Sequence, residues 1–140
     1  MKISQPVKAT AEVFSFVSHR VYLAGFSEGL KPAQWLALRY FAKVNPMAST
    51  LTDFAKQVGC TKGTASRTVN HLIDRNFLRS RKNKEDKRSN FLELSPEGRI
   101  LLQKDPIHLL ENDLSLLEPE YLHTLQKILS QILSESLTRE

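Results

Sequence analysis

The stretch TDFAKQVGCTKGTASRTVNHLIDR, residues 52–75, constrains this chain more than any other. It holds two short amphipathic patterns with almost no room between them. The first, TDFAKQV, can begin with Thr52 as its N-cap and bury Phe54, Ala55 and Val58. Gly59 then suits the position just past a helix end, where a left-handed backbone is needed. Only Gly59-Cys60-Thr61 separates this helix from the next. The second helix is expected over 62–75, with Thr61 as N-cap and Ala65, Val69, Leu72 and Ile73 on one face. A short helix, a tight glycine-containing turn and a second amphipathic helix make a helix-turn-helix pattern.

The two glycines, the lysine and the threonine of GCTKGT also suggest a mononucleotide loop, but the order is wrong for it. That loop needs G-x-x-x-x-G-K-[ST] after a strand. Here Lys62 precedes Gly63, three residues separate the glycines, and the preceding segment reads as helix. The dinucleotide pattern G-x-G-x-x-G is absent as well.

Charge points the same stretch elsewhere. Residues 61–90 carry nine Lys and Arg against three acids, a local +6, while the whole chain is only +5. A basic block this local predicts a local anionic partner, although a solvated basic face without a partner has the same composition. On the second helix, the side opposite the apolar face offers Lys62, Thr64, Ser66, Arg67, Asn70 and His71. Arg forks onto guanine, Asn onto adenine, and Ser or Thr reaches either. Gly63 would let the backbone approach closely, and the start of such a helix is the part that enters a major groove. Behind it, LRSRKN and NFLEL read as two short strands, with Leu92 and Leu94 alternating with Phe91 and Glu93. The charged turn between them places Arg79, Arg81, Lys82, Lys84, Lys87 and Arg88 around one hairpin. Arginine on such a hairpin suits a narrow A·T minor groove. Asp86 is expected to hold Arg88 or a neighbouring base through a charge-assisted bond.

The rest of the chain is mostly helical in pattern. Val7, Ala11, Phe14, Val17, Val21 and Ala24 form one stripe over 6–24, and GFSEGL interrupts it. KPAQWLALRYFAK follows with Trp35, Leu38 and Phe41 on one side, and Pro46 ends it. SPEGRILLQ opens with Ser95 as N-cap and Pro96 at the first position, and Pro106 should break that helix near Lys104–Asp105. The last helix, 118–137, carries Leu122, Leu125, Leu129 and Ile132 at near-heptad spacing, widened by Tyr121, Ile128, Leu133 and Leu137. This face is wider than one small core needs, which argues for pairing with a second copy through the N- and C-terminal helices. Closure of the core within one chain is the other reading. No apolar run reaches membrane-spanning length and no secretory signal is visible, so a cytoplasmic chain without membrane contact is expected. His19, His71, His108 and His123 lack ligand spacing, and no nucleophile-base pattern or paired acids stand out. Metal, cofactor and enzymatic activity are therefore not expected.

Taken together, LKPAQWLALRYFA, TKGTASRTVNHL, the EDKRS turn with its D-x-R pattern at Asp86 and Arg88, LSPEGR and LEPEYLHTLQKIL resemble the MarR family of bacterial transcriptional regulators over about residues 10–135. The resemblance implies a mainly α fold: a winged helix-turn-helix with a β-hairpin wing, plus a helical dimerisation region. It divides the chain into an N-terminal helix of that region (1–31), the winged module (32–100) and C-terminal dimerisation helices (101–140). It implies a homodimer on pseudo-palindromic double-stranded DNA, most simply a repressor. Thr61, Lys62, Thr64, Ser66 and Arg67 would lie on the recognition-helix surface and Arg88 at the wing tip. It further suggests a small aromatic effector between the lobes, which His19, Tyr22 and Trp35 would line, though core packing explains Trp35 and Tyr22 more economically. Pro106 departs from the family's long linking helix. Cys60 falls in the helix-turn-helix turn, where a small half-buried residue is the plain reading and a redox role the minority one. Two rival functions stay open: a winged-helix adaptor for an acidic protein, and a ligand or redox sensor with weak DNA binding.

Overall fold

The computed structural model describes residues 1–139. Seven α-helices and one hairpin follow in the order α1 (Gln5–Ala24), α2 (Pro32–Lys43), α3 (Leu51–Val58), α4 (Lys62–Asp74), β1 (Leu78–Lys82), β2 (Asn90–Leu94), α5 (Pro96–Leu101), α6 (Ile107–Leu114) and α7 (Pro119–Leu137). Short 3-10 turns at Pro46–Ala48 and Leu102–Lys104 complete the order.

The core lies where α2, α3, α4 and the root of the hairpin meet. Trp35, Leu38, Phe54, Leu72 and Leu78 are fully buried there. Each such side chain contributes about 1.5–3 kcal/mol relative to exposure. Tyr40, Phe41 and Phe54 form a ring cluster with centroids 5.0–5.4 Å apart, joining α2 to α3. The indole N–H of Trp35 meets no acceptor among the described residues, a local cost inside an apolar cluster.

Local chemistry sets most element ends. Gly59 takes φ 73°, the left-handed conformation that stops α3, and its N–H donates to Ala55 O. Thr61 caps α4, its Oγ1 accepting from the Thr64 N–H at 3.2 Å. Ser95 caps α5 by accepting from the Gly98 N–H at 2.9 Å, and donates to Asn76 O at 2.6 Å. The start of α3 differs from expectation. Thr50, not Thr52, is the N-cap: its hydroxyl accepts from the Asp53 N–H and donates to the Asp53 carboxylate at 2.7 Å. That reciprocal pair starts the helix two residues early. Thr52 therefore sits inside it.

Strands β1 and β2 pair antiparallel, with Leu78 opposite Leu94, Ser80 opposite Leu92 and Lys82 opposite Asn90. The hairpin is pinned at its root by the Leu92 N–H donating to Ser49 O at 2.7 Å and by a bridge between Thr50 and Phe91. Phe91 is buried at 7% exposure, with the Arg81 guanidinium over its ring at 4.9 Å.

After α5 the chain breaks as expected. The 3-10 turn ends at Lys104, Asp105 is extended, and α6 begins behind Pro106. Helices α1 and α7 carry the apolar stripes expected of them and α6 adds another, yet none of the three buries a single residue within the chain.

Candidate nucleic-acid interface

The surface of interest runs from α4 to the hairpin. Thr61, Lys62, Gly63, Thr64, Arg67, Asn70 and His71 are exposed on α4, and Ser66 is half-buried. Ser66 is less open because it lines a cleft of about 240 Å³ between α4, the start of α3 and the hairpin. Val69, Ile73 and Leu92 floor this cleft, and Lys62, Asn70, Arg88 and Ser89 border it. Four of the residues anticipated from the sequence thus converge: Lys62, Ser66, Asn70 and Arg88. The Asn70 amide donates to Ser66 Oγ at 3.4 Å, which orients both along the helix. Neither Lys62 nor Arg88 has a carboxylate partner among the described residues. Two uncompensated cations over hydroxyl and amide groups form a site suited to an anion.

Pleating sorts the basic residues of the hairpin onto two faces. Ser80 and Asn90 share the cleft side with Leu92, and Lys82 stands opposite Asn90 in the register. Arg79 and Arg81 alternate to the other face. There Arg79 Nε donates to Glu93 at 3.0 Å, and Arg81 lies 3.9 Å from the same carboxylate. Arg79 and Arg81 thus share the face that holds Glu93, while Arg88 borders the cleft on the other side. Lys84 and Lys87 stand exposed in the turn.

Asp86 works through the main chain. Its Oδ1 accepts from the Arg88 N–H at 2.9 Å, and its carbonyl accepts from the Ser89 N–H at 3.3 Å. No bond joins it to the Arg88 guanidinium among the described residues, so it shapes the turn and leaves that charge free. Asn83 has a similar role that the sequence reading missed. Its side-chain oxygen accepts from the N–H groups of Glu85 and Asp86, and its amide donates to Ser89 Oγ at 3.3 Å. An Asn ahead of a charged turn was the available signal. Thr50, Thr52 and Ser89, also at the cleft, were missed because nothing local marks them.

The expected effector residues are not brought together. Trp35 is 0% exposed within the core, whereas His19 and Tyr22 stand exposed on α1, with Tyr22 edge-on to Phe26. The crevice between α1, α2 and α6 exists, at about 300 Å³, but its lining includes Val17, Arg20, Val21, Arg39, Ile107 and Leu110 instead. Cys60 is half-buried against the core, its N–H donating to Ala55 O at 3.1 Å. Among the described residues no group of three His, Cys, Asp or Glu side chains is placed to hold a metal, and no helix is long and apolar enough to cross a membrane.

Comparison with known proteins places this geometry. Residues 28–89 match the family model described as the MarR family. Curated relatives from Staphylococcus aureus strains, described as uncharacterised HTH-type transcriptional regulators, are 37% identical over 70 residues, covering 50% of this chain and 47% of theirs. The chain thus matches about half the length of those relatives. Among solved structures, a MarR family transcriptional regulator of Streptomyces coelicolor in complex with DNA superposes with TM-score 0.79 at 18% identity, over 97% of this chain and 90% of that one. The MepR–DNA complex of S. aureus gives TM-score 0.73 at 18% identity, over 96% and 99% of the two chains. S. aureus MarR in complex with salicylate and kanamycin gives 0.73 at 21%, over 96% and 91%. At such identities the superpositions establish a shared winged-helix fold.

Proposed function

We propose that this chain, which carries the MarR-family winged helix-turn-helix over residues 28–89, is a transcriptional regulator that binds double-stranded DNA as a homodimer on pseudo-palindromic sites. The observation that carries this reading is the cleft where α4 and the hairpin converge, bordered by Lys62 and Arg88 without carboxylate partners among the described residues. Thr61, Lys62, Gly63, Thr64, Ser66, Arg67, Asn70 and His71 present α4 to a major groove, and Arg88 with Lys82, Lys84 and Lys87 presents the wing to backbone and minor groove. Arg79 and Arg81 brace the wing from behind. Residues 32–100 form the DNA-reading unit, while 1–31 and 101–140 pair with a second copy through the uncovered stripes of α1, α6 and α7. Repression is the simplest output of such a dimer, since occupancy of a promoter blocks its use.

The crevice between α1, α2 and α6 supports release by a small effector with an apolar body and an acidic group. Its walls are largely aliphatic and it presents Arg20 and Arg39. A related fold that binds salicylate is consistent with this.

Selection of bound duplexes from a random pool tests the proposal. A two-fold symmetric consensus, half-sites about one helical turn apart, and affinity falling steeply with salt are expected. Arg88→Ala should weaken binding across sequences and flatten the salt slope by about one unit. Absence of any enriched sequence, with salt-insensitive capture of an acidic protein, would turn the reading toward an adaptor.

A further inference from the structure

The DNA-reading unit and the pairing helices are joined across the break at Pro106, and a single buried carboxylate spans that joint. Asp105 is 4% exposed although it lies between two helices. Its Oδ2 accepts from Arg39 Nε on α2 at 2.7 Å, and its Oδ1 accepts from the Ile107 N–H at the first turn of α6 at 2.9 Å. One oxygen is therefore committed to the DNA-reading unit and the other to the start of α6. A buried carboxylate costs too much to leave unpaired, so this arrangement holds the two elements in one relative placement. A second polar tie between the two regions lies at the surface: Arg75 Nη1 donates to Gly29 O at 3.0 Å. The first turn of α6 also leans on the same carboxylate, since the Ile107 N–H opens the helix and has no acceptor within it.

We infer that Asp105, through Arg39, is a positioning residue for DNA recognition: it sets the angle between the reading unit and the pairing helices, and thereby the half-site spacing that the dimer accepts. This rests on the dimeric DNA-binding reading above. In a two-fold dimer each α4 is carried at a fixed distance from the axis, and one base pair shifts a half-site by about 3.4 Å and a tenth of a turn. A stiff joint rejects such a shift and a loose joint tolerates it.

The test uses the full chain and the symmetric duplex selected from the random pool, with duplexes in which the half-sites are moved together or apart by one and two base pairs. Asp105→Asn keeps one acceptor and cannot serve both Arg39 and the Ile107 N–H. Arg39→Gln removes the partner from a partly exposed position and guards against a folding failure of the first variant. Wild type is expected to show a sharp optimum. Both variants should lose affinity at the optimum and shrink the ratio between optimal and shifted duplexes by roughly twofold to thirtyfold, with affinity for an isolated half-site unchanged. The double variant should match the single ones, because both break the same pair. A sharp wild-type optimum that both variants retain overturns the inference alone, as does a parallel loss on the isolated half-site. Absence of any spacing optimum in wild type overturns the dimeric reading itself and the inference with it.

Discussion

Gly98 and Gly63 are glycines for opposite reasons. A Cβ at Gly98 would be driven into the Phe77 carbonyl, with the Leu94 side chain 3.2 Å away, so α5 can pack on the hairpin root only without one. Gly98→Ala should destabilise the fold by about 1–3 kcal/mol, read as a lower urea midpoint. At Gly63 a Cβ would meet nothing within 4 Å, so the chain's own packing has no need of glycine there. Gly63→Ala should raise stability by up to about 1 kcal/mol through better helix propensity. If α4 seats its first turn against DNA, the same substitution should lower duplex affinity. Opposite signs in thermal melting and in binding are the expected outcome, and unchanged affinity would take the first turn of α4 out of the interface. Both glycines could be marked in the sequence, Gly98 by its place after Ser95-Pro96 and Gly63 by its place inside a helix. Only packing tells which serves the fold.

Among the elements, helix starts were the most legible because caps are made within four residues. Thr61 and Ser95 lie where their side chains can reach the third N–H that follows. Thr50 was missed because two threonines sit two residues apart, and the choice between them depends on the Asp53 carboxylate and on the bridge to Phe91. The hairpin was legible as a hairpin, but not the use of its arginines. Alternation assigns Arg79 and Arg81 to one face, and it takes the strand register to put Glu93 beside them. The break before α6 was legible from Pro106, whereas the role of Asp105 was not, since its partner lies 66 residues away. Helix α6 also carries a pH-dependent contact. His108 Nδ1 lies 2.6 Å from Glu111, and this hydrogen bond, with the nearby carboxylates, raises the imidazole pKa above its usual 6.5. Because the folded-state value is the higher one, the contribution is complete below about pH 6.5 and disappears as pH rises through the folded value. Thermal midpoints of wild type and Glu111→Gln should therefore differ at pH 6 and converge at higher pH. The difference will be small, because both side chains face solvent.

For the whole molecule, the unsolved matter in the single chain is α1, α6 and α7. Val13, Phe14, Val17, Leu110, Leu125 and Leu129 line an open apolar groove of about 810 Å³ between them. A second copy covering this groove predicts a stable dimer by light scattering. Phe14→Glu or Leu129→Glu should weaken association at least about tenfold per substitution, since each removes a side chain worth about 1.5–3 kcal/mol when buried. A monomer in the wild type at micromolar concentration would refute this. The sequence by itself determined what depends on neighbours along the chain: the paired helices around Gly59, the cap of the second of them, the hairpin and its charge, the break at Pro106, and the apolar stripes of the terminal helices. Tertiary structure decided what depends on residues far apart. It chose which arginines stay unpaired, buried Trp35 away from the crevice, lined that crevice with Arg20 and Arg39, and tied α2 to α6 through Asp105. The physical reason is range. Caps, turns and periodicity act within about one or two helical turns and leave their mark in local order. The pairing of charges and the contents of a cavity follow from how separate elements pack, which local order does not record.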